Sequence, residues 1–355
     1  MSLKVVHVIG SKKAGGAETF FVRMMRALQE ASVDTFVVVR QDSWLQSQME
    51  KYNIPHAALP FGGLLDIKTK TELKKIIEAQ KPAVVQSWMN RASRFIPKVE
   101  GVVNVGRLGG YYSLKYYKNM DWLVGNTEDI CRYVKTKGWP EDKAEYIPNF
   151  APEPVEDYKL ERNGVRDTLG IPEDAYTIFL AGRLHENKGF DIALYAMRFM
   201  PDNVHTIVAG EGPDEDTLKT MVESDGYGDR VHFVGWVNNI TALAAASDVW
   251  MVPSRHEPLG NVVLDAWMHE MPVIASESDG PKSLIDDRKT GLLVPVGKGR
   301  PLAAAVKELM EHPELANQLA HAGKVKGEHA FSQEVVLQQW LSFYVNITTP
   351  TEDVA

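Results

Sequence analysis

Residues 4–18 read KVVHVIGSKKAGGAE, a short apolar run that ends in a glycine-rich turn. The next residues show helical periodicity, since Phe20, Met24 and Leu28 recur at a spacing that gives a helix one buried face. Further short apolar runs alternate with helical stretches along the rest of the chain. This alternation is typical of strand–helix–strand units around a mainly parallel sheet, so the sequence predicts an α/β fold.

The predicted strands form two series on either side of a proline-rich segment. Residues 147–154 contain three prolines, which a helix or a central strand cannot accommodate, so we predict a hinge there. A chain of 355 residues is also long enough for two domains. We expect a first domain at 1–152, a second at 153–330, and a C-terminal helix at 331–355 that packs back on the first. The predicted strands are 4–9, 35–39, 83–86, 102–105, 122–125, 176–181, 204–209, 231–234, 249–252, 273–275 and 292–294.

The composition excludes several classes of protein. At 44% apolar and 24% charged residues the chain is neither disordered nor collagenous, and its single cysteine, Cys131, can form no internal disulfide. No stretch approaches the roughly 20 apolar residues of a membrane-spanning helix, and residues 1–10 read as a strand rather than a signal peptide. We therefore expect a cytoplasmic protein, with contact to the inner membrane face left open.

Charge is distributed unevenly between the two halves. Residues 1–150 carry 22 Lys and Arg against 15 Asp and Glu, a net charge of +7, and residues 151–355 carry 17 against 32, a net charge of −15. The overall charge of −8 argues against nucleic-acid binding. Residues 107–118 mix basic side chains with tyrosines, and 61–65 form an apolar loop. These features suit contact with an anionic membrane or with a lipid-linked acceptor. The alternative is that the tyrosines pack on the core and the basic charge steers an anionic donor.

Three glycine turns follow predicted strands. The turn at 10–18 ends in Gly15 and Gly16 and opens into a helix, whose free N–H groups suit a phosphate. It matches neither the Walker nor the dinucleotide pattern, so a plain turn stays equally open. Segment 182–189 places Arg183 and Lys188 five residues apart, where two cations could stabilise a departing diphosphate or lie on a solvated loop. The turn that contains Gly212 has the same two interpretations.

A fourth segment, residues 253–265, places two carboxylates around a predicted helix start. Glu257 and Asp265 are eight residues apart, and the N–H groups near Leu259 and Gly260 lie between them. Carboxylates can accept hydrogen bonds from sugar hydroxyls while free N–H groups meet a phosphate, so the segment suits a nucleotide sugar. The alternative is an ordinary helix start with surface acids.

Taken in order, these motifs resemble the family-4 retaining glycosyltransferases of the GT-B fold, in which two Rossmann-like domains face a cleft. The resemblance runs through nearly the whole chain, and the motifs that carry it are Gly15-Gly16-Ala17-Glu18, Gly182-Arg183 with Lys188-Gly189, Gly210-Glu211-Gly212-Pro213, Glu257-Pro258-x-Gly260 with Asp265, and Thr290-Gly291-Leu292-Leu293-Val294-Pro295.

The resemblance implies roles for individual residues. Glu257 would contact the transferred sugar, and Arg183 and Lys188 would hold the diphosphate. Asp265 stands where the family has a glutamate that contacts the ribose, so its contact would be longer or bridged by water. The donor-binding residues implied are Gly15, Gly16, Gly212, Leu259, Gly260, Asn261 and Asp265.

The acceptor side is matched less closely. Several family members carry a histidine after the third strand of the first domain, but residues 85–92 contain none. The segment from Arg107 to Tyr112 resembles a subset associated with bacterial lipopolysaccharide and other envelope saccharides. The candidate acceptor residues are Trp88, Asn90, Arg91, Arg107 and Tyr111.

The resulting hypothesis is a retaining glycosyltransferase that moves a sugar from a nucleotide-diphosphate sugar to a saccharide acceptor of the cell envelope. A nucleotide-sugar epimerase of similar fold and a non-catalytic saccharide-binding relative remain alternatives. No cofactor or metal is expected. Residues 214–216 read Asp-Glu-Asp, a pattern that binds metal nucleotides in another glycosyltransferase fold, but acids are also favoured at a helix start.

Overall fold

The computed structural model describes residues 3–63, 66–151, 154, 158–237 and 240–349. Its first elements are β1 (Lys4–Ile9), α1 (Gly16–Glu30), β2 (Asp34–Arg40), α2 (Trp44–Lys51), β3 (His56–Leu59), α3 (Ile67–Gln80), β4 (Val84–Trp88), α4 (Met89–Ser93), β5 (Val103–Leu108), β6 (Trp122–Gly125), α5 (Glu128–Thr136) and β7 (Ala144–Tyr146). The later elements are α6 (Arg162–Leu169), β8 (Tyr176–Ala181), α7 (Phe190–Ala196), β9 (Val204–Ala209), α8 (Glu215–Ser224), β10 (Val231–Gly235), α9 (Thr241–Ala245), β11 (Val249–Val252), α10 (Asn261–Met268), β12 (Val273–Ser276), α11 (Asp279–Leu284), β13 (Leu292–Val294), α12 (Gly299–Glu311), α13 (Pro313–Phe331) and α14 (Gln333–Thr348).

Two parallel sheets confirm the predicted α/β class. One has seven strands in the order β3-β2-β1-β4-β5-β6-β7, and the other has six in the order β10-β9-β8-β11-β12-β13. The described residues divide into unit 1, within Met1–Phe150 and Gln333–Ala355, and unit 2, within Ala151–Ser332. The boundary we expect at residues 152 and 153 lies outside the described residues.

Unit 1 has its core on both faces of the seven-stranded sheet. Val5 and Ile9 of β1 pack into a cluster with α1 and α14, whereas Val6 and Val8 pack on the opposite face with α3. Side chains alternate between the faces of a strand, so a strand covered on both sides reads as a continuous apolar run. This burial explains the run that begins the chain.

Helix α14 completes the first of these faces. Trp340 and Tyr344 are fully buried, and the Tyr344 hydroxyl donates a hydrogen bond to Gln86 of β4. The ring centroids of Trp340 and Tyr344 lie 5.5 Å apart. Unit 1 is therefore built from two separate stretches of the chain.

His7 is the polar residue at the centre of β1. It is fully buried, and its Nδ1 accepts a hydrogen bond from the Trp88 indole N–H at 3.2 Å. Burial lowers the pKa of His7 from 6.5 to about 3, because the charged imidazolium would lose its hydration. The folded protein therefore holds His7 neutral at pH values where the unfolded chain is protonated.

We expect the free energy of unfolding to decrease as the pH falls below 6.5, because the unfolded state then binds a proton that folded His7 does not. The expected decrease in the free energy of unfolding is about 2 kcal/mol at pH 5. Urea unfolding of wild type and of His7→Gln at pH 7 and pH 5 measures it, since glutamine does not titrate. The same change at half-buried His56 of β3 is the control. Equal pH dependence in wild type and His7→Gln would contradict the prediction.

Unit 2 places its loops where a ligand site is expected. All six strands are parallel, so their carboxyl ends meet at one edge of the sheet, where open α/β sheets bind ligands. The segments that follow β8, β9 and β11 contain three of the sequence motifs of this half, and the fourth includes β13.

Candidate active site

The turn after β8 lies directly against the turn after β11. Gly189 has φ +68 and precedes α7, and a Cβ atom there would overlap the carbonyl oxygen of Pro253. Both the left-handed backbone and the close approach require glycine. Lys188, which immediately precedes Gly189, is thereby held near the segment that contains Glu257.

The turn after β9 also packs on the turn after β8. Gly210 has φ +141, and a Cβ atom there would overlap the carbonyl oxygen of Gly182. A Cβ atom at Gly212 would overlap the carbonyl oxygen of Leu184, whose N–H donates to the Glu211 carbonyl at 3.0 Å. The structure thus gives these glycines a packing role, and contact of Gly212 with a donor remains a prediction.

Lys188 and Glu257 form the central ion pair of the site. The Lys188 ammonium donates to the Glu257 carboxylate, and the Glu257 side chain is 8% exposed against 27% for Lys188. The other carboxylate oxygen accepts a hydrogen bond from the Gly260 N–H at 3.4 Å. Two residues that are 69 positions apart in the sequence are thus joined at one edge of the sheet.

Arg183 provides a second positive charge on the same loop as Lys188. Its side chain is exposed, and within the part of the chain that the structure describes it makes no ion pair. An exposed guanidinium without an acidic partner is available to bind an anion. The two cations therefore differ, because one is already paired and the other is not.

Arg255 fixes the turn after β11 and was not singled out from the sequence. Its guanidinium binds both carboxylate oxygens of Asp191, at 2.7 and 2.6 Å, and the Glu186 carbonyl oxygen at 2.8 Å. The hydrogen bond to Asp191 raises the pKa of Arg255. The contacts of Arg255 hold residues 253–257 against the loop of Lys188. No local pattern in the sequence indicates that Asp191 is the partner of Arg255.

Helix α10 begins beside Glu257. Gly260 is its N-cap with φ +79, and Asn261 is its first residue, so Leu259 and Gly260 lie at the helix start as predicted. Asp265 is half-buried one turn further along, and its carbonyl oxygen accepts a hydrogen bond from His269 at 2.7 Å. Glu257 and Asp265 thus occupy opposite ends of one loop-and-helix segment.

In unit 1 the glycine turn leads into α1 as predicted. Gly15 is the N-cap and has no side chain with which to cap the helix, and Gly16 is the first helical residue. A Cβ atom at Gly15 would lie 2.8 Å from a carboxylate oxygen of Glu18. A role for this turn in donor binding stays a prediction.

The five candidate acceptor residues divide into buried and accessible groups. Trp88 is 1% exposed and Arg107 is 3% exposed, and the Arg107 guanidinium lies 4.5 Å from the Trp88 ring centroid. Burial lowers the pKa of Arg107 to about 9, and the side chain donates a hydrogen bond to Asn149. These contacts give Trp88 and Arg107 a supporting position inside unit 1.

The remaining three lie nearer the surface. Asn90 is half-buried and Arg91 is exposed on α4, and the Arg91 guanidinium donates to the Phe61 carbonyl at 3.3 Å. Tyr111 is 38% exposed, and its hydroxyl donates to Asp129. In the apolar loop at 61–65, Phe61 is buried, and Leu64 and Leu65 lie outside the described residues.

The Asp-Glu-Asp segment at 214–216 lies at the start of α8. Asp214 is the N-cap of α8, and Glu215 and Asp216 form its first turn, where Glu215 pairs with Lys219 at 2.7 Å. Among the described residues no three His, Cys, Asp or Glu side chains are grouped as a metal site would require. Across the same residues no helix has the length and apolar character of a membrane span.

Known proteins similar to this chain were found at the level of family, sequence and structure. The family described as "Glycosyl transferases group 1" matches residues 161–326. Two lipopolysaccharide core biosynthesis glycosyltransferases of Rhizobium meliloti (strain 1021), LpsD and LpsE, are each 31% identical over 348 residues, which cover 96% of this chain and 98% of theirs. The crystal structure of Anabaena Alr3699/HepE in complex with UDP and glucose has a TM-score of 0.83 at 19% identity and covers 97% of this chain and 100% of that chain.

Two α/β units with parallel sheets, together with the structural match, define the GT-B fold. The chain belongs to the group 1 glycosyltransferases, the retaining, nucleotide-sugar-dependent family that its motifs resemble. This finding confirms the predicted enzyme class.

Proposed function

We propose that this protein transfers a hexose from a nucleotide-diphosphate sugar to a saccharide acceptor of the lipopolysaccharide core. The Lys188–Glu257 pair carries the donor part of the proposal, because it joins a carboxylate that suits a sugar to a cation that suits a diphosphate, and exposed Arg183 lies on the same loop as Lys188. The acceptor part is supported by the names of the two Rhizobium relatives, which align with nearly the whole chain.

In the proposed reaction, charge stabilisation and orientation do most of the work. The bond between the anomeric carbon and the β-phosphate oxygen breaks, and negative charge develops on the leaving diphosphate. Arg183 and Lys188 stabilise that charge. Glu257 orients the sugar by accepting a hydrogen bond from one of its hydroxyls. For this retaining family we favour attack from the face of the leaving group, with the departing phosphate accepting the acceptor's proton.

A panel of sugar nucleotides tests the donor. UDP-, GDP- and ADP-hexoses are added to the protein, and the midpoint of thermal unfolding is measured. A ligand at about 100 times its dissociation constant adds roughly 2.7 kcal/mol of stability, which is easily detected. The selected donor is then incubated with and without a truncated lipopolysaccharide core. Sugar transfer only in the presence of the core supports the proposal, whereas a second sugar isomer formed from the donor alone would indicate an epimerase.

Contact with an anionic membrane is a further part of the proposal. It is supported by the charge of +7 on residues 1–150 and by exposed Lys115 and Lys118 in the loop after β5. The Lys115 ammonium lies 5.0 Å from the Tyr116 ring centroid, so basic and aromatic groups are adjacent there. Aromatic and basic side chains together suit a lipid headgroup region.

We expect the protein to co-sediment with anionic vesicles and not with neutral ones. Each Lys or Arg close to an anionic membrane surface contributes about 1 kcal/mol to the free energy of binding. Salt screens this attraction, so binding should weaken steeply as ionic strength rises. Charge reversal at Lys115 and Lys118 should weaken binding to vesicles and leave donor binding unchanged. Charge reversal at exposed Lys289 and Lys307 of unit 2 is the matched control. Equal sedimentation with both lipids at low salt would assign the basic charge to donor steering instead.

A further inference from the structure

Two buried serine hydroxyls, one at the last residue of β12 and one just after it, have no hydrogen-bond partner among the described residues of unit 2. Ser276 is 1% exposed and Ser278 is 5% exposed, and neither Oγ atom has a partner in the part of the chain that the structure describes. A buried polar group that makes no hydrogen bond lowers the stability of the protein. Each such group therefore calls for an explanation.

The lack of a partner for Ser278 has a specific cause. Ser278 is the N-cap of α11, where a serine hydroxyl ordinarily accepts a hydrogen bond from the second or third N–H of the helix. The second, that of Gly280, donates instead to the carbonyl oxygen of Glu257 at 2.7 Å. The third residue is Pro281, which has no N–H. The hydroxyl at the N-cap position therefore has no helix donor to bind.

The same segment packs directly on the loop of the proposed sugar-binding carboxylate. A Cβ atom at Gly280 would lie 2.6 Å from the Glu257 carbonyl oxygen and 2.7 Å from the Gly260 nitrogen. One residue earlier, the Asp279 carboxylate lies 3.9 Å from the His256 ring nitrogen. Ser278 is thus two residues from a backbone contact with Glu257.

We propose that Ser278 is an additional sugar-binding residue, whose hydroxyl bonds to the transferred sugar held at Glu257. The inference rests on the function proposed above. An ionised carboxylate only accepts hydrogen bonds, whereas a serine hydroxyl also donates, so the two groups together recognise a sugar hydroxyl and an adjacent sugar oxygen. Ser278 Oγ makes no hydrogen bond among the described residues, so a bond to the sugar would replace none.

The test compares two buried serines of the same unit. Ser278→Ala removes the unpartnered hydroxyl. The control, Ser247→Ala, removes a hydroxyl that donates to the Leu243 carbonyl at 2.9 Å and precedes β11 at the opposite edge of the sheet. We expect Ser278→Ala to lower kcat/KM for the donor about 5- to 10-fold, the effect of one neutral hydrogen bond, without lowering the unfolding midpoint. Ser247→Ala should lower the midpoint and leave kcat/KM within about twofold.

A second measurement separates sugar contact from nucleotide contact. Affinities for UDP and UDP-glucose are measured first, or for GDP and GDP-mannose if the panel selects a guanosine donor. Ser278→Ala should weaken only the sugar nucleotide. With a donor that lacks the contacted hydroxyl, wild type and Ser278→Ala should react equally.

Three results would overturn the inference: an unchanged kcat/KM, equal weakening of UDP and UDP-glucose, or a loss of stability like that of Ser247→Ala. Failure of the proposed function is recognised separately. A wild-type protein that binds no sugar nucleotide contradicts both proposals, whereas an active wild type with an unaffected Ser278→Ala variant contradicts this one alone.

Discussion

Replacing Arg183 or Lys188 by alanine is expected to lower the turnover number about 10²–10³-fold, the loss found when one preorganised charge stabiliser is removed. Both residues follow β8 at the carboxyl edge of the unit 2 sheet. Steady-state transfer assays with the selected donor measure the effect. Wild-type turnover in either variant would contradict the assignment to the leaving diphosphate.

The two variants should differ in stability, which makes the comparison informative. Arg183 is exposed and makes no ion pair among the described residues, so Arg183→Ala should unfold like wild type. Lys188→Ala leaves the buried Glu257 carboxylate without its cation, and we expect a lower unfolding midpoint. Lys282→Ala, which removes an exposed lysine of α11, is the control for general charge effects and should keep full activity.

Glu257→Gln is expected to lower transfer by about 100-fold or more, with little change in the affinity for the nucleotide diphosphate. The proposed contact of Glu257 is to the sugar, and glutamine has the same shape but a weaker acceptor oxygen. Its side-chain oxygen can still accept a hydrogen bond from Lys188, so the loop should keep its position. Calorimetric titration with UDP and with the donor, beside a transfer assay, distinguishes the two effects.

Glu186→Gln is the matched control for this variant. Glu186 lies on the same loop and is exposed, and its backbone carbonyl is the group that binds Arg255. We expect unchanged transfer, because the side chain has no assigned contact with the donor. If Glu257→Gln lost diphosphate affinity and transfer in parallel, the result would indicate that Glu257 contacts the phosphates rather than the sugar.

Most of the fold follows from the apolar runs in the sequence. All eleven predicted strands are present, although β4 and β5 extend to Trp88 and Leu108. Those extensions contain Ser87 and Arg107, polar residues that end the apolar run and are nevertheless buried with hydrogen-bond partners. The strands we did not predict, β3 and β7, lie at the two edges of the unit 1 sheet. Their sequences, HAAL and AEY, lack the β-branched residues that mark a strand.

The candidate site was less accessible to sequence reasoning. Glycine turns and charged residues after predicted strands indicate Lys188 and Glu257, because parallel strands bring their carboxyl ends together. The contact of Arg255 with Asp191 depends on how two loops pack, and no spacing rule predicts it. Ser278 did have a signal, since proline three residues after a helix-capping serine removes a donor.

The return of α14 to unit 1 has a consequence for how the protein is made. Unit 2 is continuous in sequence, so it can fold once residue 332 has left the ribosome. Unit 1 cannot complete its core then, because Trp340 and Tyr344 are still inside the ribosomal exit tunnel when residue 332 emerges. Domains usually fold in order from the N-terminus during translation. In this protein the half that is translated first completes its folding last. Until then, one face of its sheet is incompletely covered.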